Sequence, residues 1–159
     1  MIQLAEVRNI FIDFDGVVVD SNKFKESAIK NSVYKLLGEN KKNIEAIEYF
    51  NINAGISREK KLSLFFNPKE VSRIMRLYAK ECNKFFSKAI PTKGFKTFLD
   101  YIKNNHSHIK LFILSGGEKN EIKLFLDKNK LLFFFEGILA SEKSKSVHLE
   151  EKLVSNNDI

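Results

Sequence analysis

Two aspartates two residues apart close an apolar run in Ile10-Phe11-Ile12-Asp13-Phe14-Asp15-Gly16-Val17. In an extended strand, side chains at that spacing share a face. At a strand's end the second can also turn into the loop, so that one carboxylate faces a ligand with the other beside it. Carboxylates this close repel one another and favour a bound cation, or a proton on one member. Magnesium, with its oxygen ligands and its partnership with phosphate, suits such a pair. The chemistry implied is phosphoryl transfer, with Asp13 as nucleophile and Asp15 handling the leaving-group proton. A plain Asp-Gly turn, with Asp15 capping a following helix, would account for Asp15. It leaves Asp13 unexplained, because a charge within an apolar strand is costly without a partner.

Two later segments fit the same chemistry. Ser115-Gly116-Gly117 follows the apolar run Leu111-Phe112-Ile113-Leu114 and supplies a hydroxyl and open backbone N–H groups. These suit phosphoryl oxygens, especially with a helix starting there, as residues 118–126 suggest. Taken alone the glycines are an ordinary turn. In Ser141-Glu142-Lys143-Ser144-Lys145-Ser146-Val147-His148-Leu149, a lysine ahead of a helix can neutralise charge on the aspartate and the phosphate. Lys145 is the choice, because Ser146, Leu149 and Leu153 read as the start and inner face of that helix; Lys143 is the alternative. By themselves these are two exposed lysines in a polar loop.

The elements that must position these groups are strands and their connections. Residues 7–14 read as a buried strand stopped by Asp15-Gly16, where glycine permits a sharp turn. Residues 111–114 form a second strand, and a third lies either at Phe133-Phe134-Phe135 or at Gly137-Ile138-Leu139-Ala140. Polar groups at strand ends are where parallel α/β sheets place their sites. The stretch between the first two strands is helical in pattern. Ala28, Ile29, Val33, Leu36 and Leu37 recur at helical spacing before Gly38, and Ile44, Ile47 and Phe50 continue the pattern. Ser57 opens a helix carrying Leu62 and Phe65, and another over residues 70–86 carries Val71, Ile74, Met75, Tyr78 and Cys82 on one side. After Pro91 and Gly94, Phe95, Phe98, Leu99 and Ile102 lead into the second strand. A crossover this long exceeds what one βαβ unit needs, so residues 21–90 are expected to be an inserted helical cap above the strand ends. Residues 1–20 and 91–159 then make an α/β core, a Rossmann-like parallel sheet.

The 159 residues, 43% hydrophobic and 30% charged, suit a folded domain rather than a disordered or fibrous chain. The net charge of +7 is spread over isolated lysines with no basic block, which argues against a nucleic-acid partner. Cys82 is the only cysteine, which excludes an internal disulfide and a cysteine zinc site. Glu6 and Arg8 interrupt any secretory apolar segment, and the densest apolar run, 131–140, is too short to span a bilayer. The expectation is a cytoplasmic protein with no membrane partner.

The order of these segments resembles the haloacid dehalogenase-like (HAD) hydrolases. Asp13-Phe14-Asp15-Gly16-Val17-Val18-Val19-Asp20-Ser21 matches their opening motif, Ile113-Leu114-Ser115-Gly116 resembles their second, and residues 141–145 their lysine-bearing third. A helical insertion directly after the first motif is similar to the subgroup whose cap follows strand one, such as phosphoglycolate phosphatase and beta-phosphoglucomutase. The resemblance implies that Asp13 is the phosphorylated nucleophile and a magnesium ligand. Asp15 is then the general acid/base, its backbone carbonyl also on the metal, with Gly16 beside the substrate. Ser115 and the Gly116 N–H hold the phosphoryl group, and Lys145 stabilises its charge. Ala54-Gly55-Ile56-Ser57-Arg58 is similar to a cap segment in which an arginine grips a distal phosphate, so Arg58 is a candidate substrate contact.

The family's fourth motif, an acidic strand end that completes the magnesium site, has no counterpart in the few residues after the last helix. Asp158 lacks that context and is not assigned as the ligand. The expectation is therefore a core truncated after its third strand and helix, with an unpaired apolar strand edge open to self-association. The implied activity is a magnesium-dependent phosphatase of a small phosphorylated metabolite. The alternatives are a sugar phosphomutase using the same aspartyl-phosphate, or a non-catalytic binding module.

Overall fold

The computed structural model describes residues 4–53 and 56–154. It is an α/β fold whose three strands, β1 (Asn9–Ile12), β2 (Lys110–Leu114) and β3 (Gly137–Leu139), form one parallel sheet in the order β1-β2-β3. Among the described residues, seven α-helices accompany them: α1 (Asn22–Leu37), α2 (Lys41–Ile52), α3 (Arg58–Ser63), α4 (Pro68–Phe86), α5 (Phe95–Asn105), α6 (Lys119–Lys128) and α7 (Lys145–Val154). The chain divides into two compact units, Met1–Asp20 with Ala89–Ile159, and Ser21–Lys88.

The sheet unit takes its shape from β2. Leu111, Phe112, Ile113 and Leu114 are all buried, as a central strand covered on both faces requires. Ile12 pairs with Ile113, and Leu114 with Leu139, so the three strands stop at one edge. Phe11 stacks on Phe112 at 5.3 Å, and Gly137 stands opposite Phe112, where a Cβ would come within 3.4 Å of its ring. A glycine at this point leaves room for the central aromatic. Leu99, Ile102, Ile122, Phe125 and Leu126 complete the core from α5 and α6.

The first strand, expected over residues 7–14, is only Asn9–Ile12, and Ile10 and Phe11 are half-buried rather than fully enclosed. Among the described residues β1 pairs on one side alone, with β2. Of the two positions open for the third strand, the sheet uses Gly137–Leu139. The aromatic run instead forms a 3-10 turn, Leu132–Phe134, with Phe133 66% exposed. Its β-prone residues are overridden by the chain reversal before them, where Lys130 adopts a left-handed φ of 56° and Leu131 N–H bonds back to Leu126. Nor does Asp15 cap a helix: α1 begins at Asn22, after Ser21.

The helical unit buries Ile29, Val33, Leu62, Ile74, Tyr78, Cys82 and Phe86. α4 starts two residues before its expected position because Asn67 and Glu70 form a reciprocal capping box around Pro68. α3 stops at Ser63, so Phe65, expected on this helix, lies beyond its end. Asn43 is buried and donates to the Gly38 carbonyl at 2.8 Å, closing the end of α1. Lys61 is buried too, with Nζ donating to the Phe50 carbonyl at 2.7 Å in the last turn of α2. A cation there meets the negative end of the helix dipole. Among the described residues no helix is long and apolar enough to cross a membrane.

Candidate active site

Asp13 lies one residue beyond β1, in a loop rather than in the strand. Its Oδ1 accepts the Phe14 N–H at 2.9 Å, a local side-chain bond that replaces the sheet ladder and ends the strand. The Phe14 carbonyl then gathers the N–H groups of Val18 (2.9 Å) and Val19 (3.2 Å), while Gly16 N–H donates to Val19 at 2.8 Å. Gly16 sits at φ 80°, a left-handed conformation that glycine adopts without strain. Phe14 is fully buried and meets Phe125 of α6 edge-on at 5.4 Å. The tight turn is therefore anchored by its apolar member, with Asp13 exposed and Asp15 half-buried on either side of it.

The second segment is built in the same manner at the end of β2. Ser115 is 2% exposed, its N–H donates to the Leu139 carbonyl, and its Oγ accepts the Gly117 N–H at 2.9 Å. With the oxygen engaged as an acceptor, the hydroxyl hydrogen is left for a ligand. Gly116 is exposed, and α6 begins two residues after Gly117, so a helix N-terminus follows this edge directly.

The third segment is tied to the second. Ser141 N–H donates to the Gly117 carbonyl at 3.0 Å and its Oγ to Glu118 at 3.1 Å. α7 then starts at Lys145, capped by Ser144 Oγ on the Val147 N–H. Its inner face is carried by buried His148, whose Nε2 donates to the Ala140 carbonyl at 2.9 Å; Ser146 is exposed. Lys145 Nζ reaches Asp13 Oδ1 at 2.9 Å, and both side chains are 47% exposed. Lys143 turns instead to Glu151, whose carboxyl that hydrogen bond holds below the usual range. The two lysines left open by the sequence thus have different partners, and the one at Asp13 is Lys145.

Asp13, Asp15, Gly16, Ser115, Gly116 and Lys145 all stand at the carboxyl edge of the sheet. Arg58 belongs to the helical unit, as the first residue of α3, with its guanidinium 4.9 Å from the Tyr78 ring centre. The residues preceding it in the expected cap segment, Ala54 and Gly55, lie outside the described residues, as does Asp158. Nearby Lys61 has its ammonium pushed down to about 8 by burial and by the Arg58 charge. Sequence reading missed two contributors, the Ser141–Glu118 link between loops and Thr92; it took Gly117 as an open N–H donor, whereas that N–H is spent on Ser115 Oγ. Thr92 Oγ1 donates to the Val17 carbonyl at 2.6 Å and its N–H to the Val18 carbonyl at 2.9 Å.

The donor set consists of hard oxygens, which fits magnesium: such sites commonly use one or two carboxylates with water and phosphate completing the shell. Among the described residues no group of three or more His, Cys, Asp or Glu gathers. Asp13 and Asp15 are the residues present for such an ion.

Comparisons with known proteins agree with this architecture. The haloacid dehalogenase-like hydrolase family model matches residues 10–152. No curated protein matches the chain. Among solved structures, a haloacid dehalogenase-like family hydrolase from Streptococcus pneumoniae is similar with TM-score 0.64 at 18% identity, covering 95% of this chain and 71% of its own. CbbY from Rhodobacter sphaeroides, in complex with phosphate, gives TM-score 0.63 at 13% identity over 86% of this chain and 64% of its own. A structure described as a haloacid dehalogenase-like hydrolase from Bacteroides fragilis gives TM-score 0.65 at 16% identity over 86% of this chain. The chain spans 64% of that protein's length.

Proposed function

The chain belongs to the haloacid dehalogenase-like hydrolases, and on that premise we propose that it is a magnesium-dependent phosphohydrolase of a small phosphorylated metabolite, acting through a phosphoryl group carried on Asp13. The observation that supports this best is the 2.9 Å contact between Lys145 and Asp13, residues 132 apart in sequence. A cation brought from the third strand's loop onto a carboxylate at the first strand's end suits an attacking oxygen and the anionic phosphate that must approach it. The phosphate bound by the relative CbbY agrees with a phosphate-centred site.

The contacts support the following roles. Lys145 and the Phe14 N–H both hold Asp13 Oδ1, leaving Oδ2 as the nucleophile. As Oδ2 bonds to phosphorus, the bond to the leaving oxygen breaks and Asp15 supplies the proton that oxygen needs. Asp15, now a carboxylate, takes a proton from water, whose oxygen attacks phosphorus and releases phosphate, restoring Asp13. The Ser115 hydroxyl and the N–H groups around Gly116 and the start of α6 bind the equatorial oxygens through both steps. Magnesium held by Asp13 and Asp15 would add positive charge opposite the phosphoryl oxygens. The cation at Lys145 keeps two anions, carboxylate and phosphate, within bonding reach of each other.

Hydrolysis of p-nitrophenyl phosphate at millimolar magnesium tests the reading. Asp13→Asn should abolish turnover while leaving the melting temperature nearly unchanged, since the half-exposed carboxylate contributes little to the fold. Full activity in that variant would overturn the mechanism.

A further inference from the structure

We propose that Thr92 is a positioning residue for Asp15, holding the turn that carries it through two hydrogen bonds from the linker before α5; this rests on the role given to Asp15 above. The turn has its own internal bonds, from Gly16, Val18 and Val19, but these fix only its curl. Its placement against the sheet needs anchors on the far side. Buried Phe14 is one, at the start of the turn, before Asp15. Beyond Asp15, Thr92 grips two successive carbonyls, Val17 through Oγ1 at 2.6 Å and Val18 through its N–H at 2.9 Å. Asp15 thus lies between buried Phe14 before it and, after it, buried Val18 and Val19, whose stretch of backbone Thr92 holds by its two hydrogen bonds.

Thr92 is itself held. Its carbonyl accepts the Phe95 N–H at 3.1 Å, at the first residue of α5, and Phe95 is buried in the core. Pro91 precedes it and fixes the backbone φ there. The hydroxyl is the part of this link that depends on residue type, because any residue but proline would supply the N–H. At 2.6 Å the Oγ1 bond lies at the short end of the range for hydroxyl donors. A general acid must stay within hydrogen-bond reach of the leaving oxygen, so loosening the turn behind Asp15 costs the reaction where that proton is needed and little where it is not.

The experiment compares Thr92→Val, which keeps shape and N–H but loses the hydroxyl, with Thr92→Ser, which keeps the hydroxyl. The readout is kcat/KM, which reports transfer to Asp13, for p-nitrophenyl phosphate and for an alkyl phosphate whose poor leaving group requires protonation. Thr92→Val should lower kcat/KM about tenfold for the alkyl phosphate and less than about twofold for p-nitrophenyl phosphate. Thr92→Ser should restore both. Equal losses on both substrates, or no rescue by serine, would overturn the proposal as mere destabilisation. Asp15→Asn is the reference: if it shows no selective loss on the alkyl phosphate, the role of Asp15 itself fails. A selective loss there without one in Thr92→Val refutes the positioning role alone. Native-state hydrogen exchange gives a readout independent of turnover. The Gly16, Val18 and Val19 amides should exchange up to about tenfold faster in Thr92→Val and not in Thr92→Ser; unchanged exchange would refute the link.

Discussion

Replacing Lys145 with methionine separates what the cation does for the fold from what it does for the reaction. The 2.9 Å pair with Asp13 joins two side chains that are each about half exposed. Two unit charges near this distance in a water-like medium attract by about 1 kcal/mol, and the entropy of holding a long side chain offsets part of that. The net contribution to stability is therefore under about 1 kcal/mol, which in a protein of this size moves the melting temperature by no more than about 2–4 °C. The reaction gives a different magnitude. A donor aimed at charge that grows in the transition state is worth a factor of about 10²–10³ in turnover. Lys145→Met should thus lose two to three orders of magnitude in kcat on p-nitrophenyl phosphate and melt within a few degrees of the parent. Binding of beryllium fluoride with magnesium, followed by fluorine NMR, should weaken in parallel. Lys143→Met is the matched control: its partner is Glu151, so activity should stay within about twofold. The reasoning is refuted if Lys145→Met keeps activity within about threefold, or if Lys143→Met loses as much.

Two further outcomes follow from the fold. Lys61 is held down to about 8 in the folded state, against 10.5 for the free side chain, so the unfolded chain binds more protons between those values. Stability then rises as pH increases from about 8 to 10.5. This gain should be smaller in Lys61→Met, as chemical denaturation across that window would reveal; identical pH profiles would exclude Lys61 as its source. At the sheet edge, Lys110 N–H donates to the Arg8 carbonyl, so by strand alternation Asn9 points its own N–H away from β2. If that open edge mediates self-association, Asn9→Pro should leave the sheet intact and abolish the concentration dependence of mass by light scattering. A monomer at every concentration in the parent protein would remove the idea.

How much of this was legible in the residues depended on the kind of interaction. Asp13 stood out because a carboxylate at the end of Ile10-Phe11-Ile12 has an energetic cost that demands a reason. The end of β1 was misplaced by two residues because apolarity continues through Phe14, while the backbone has already left the ladder for the Asp13 side chain. Lys145 could be preferred to Lys143 from the onset of a helical pattern, but its contact with Asp13 spans the chain and has no local signature. Thr92 was invisible for a related reason: its acceptors are backbone carbonyls, which every residue carries, so nothing in Val17-Val18 advertises a partner. The Phe133-Phe134-Phe135 run shows the opposite failure, a strong local preference overruled by a left-handed Lys130 just before it.

The grip of Thr92 on Val17 and Val18 also bears on how the chain reaches this structure. It joins residues 75 positions apart, so from the sheet's side the whole helical unit is one closed loop. Closing a loop of that length rather than one of five residues costs only about 2 kcal/mol in chain entropy, since the penalty grows with the logarithm of length. The larger effect is on rate: β1 cannot find β2 until that long search ends, and high sequence separation slows folding. Helices α2 to α4 each begin at a side-chain cap, and α1 to α4 share a core of their own. If they assemble first, they shorten the search and deliver Thr92 to the turn already within reach. Replacing residues 21–88 with a short flexible linker would leave the sheet a nearly local problem, and a faster refolding phase would be the sign of it.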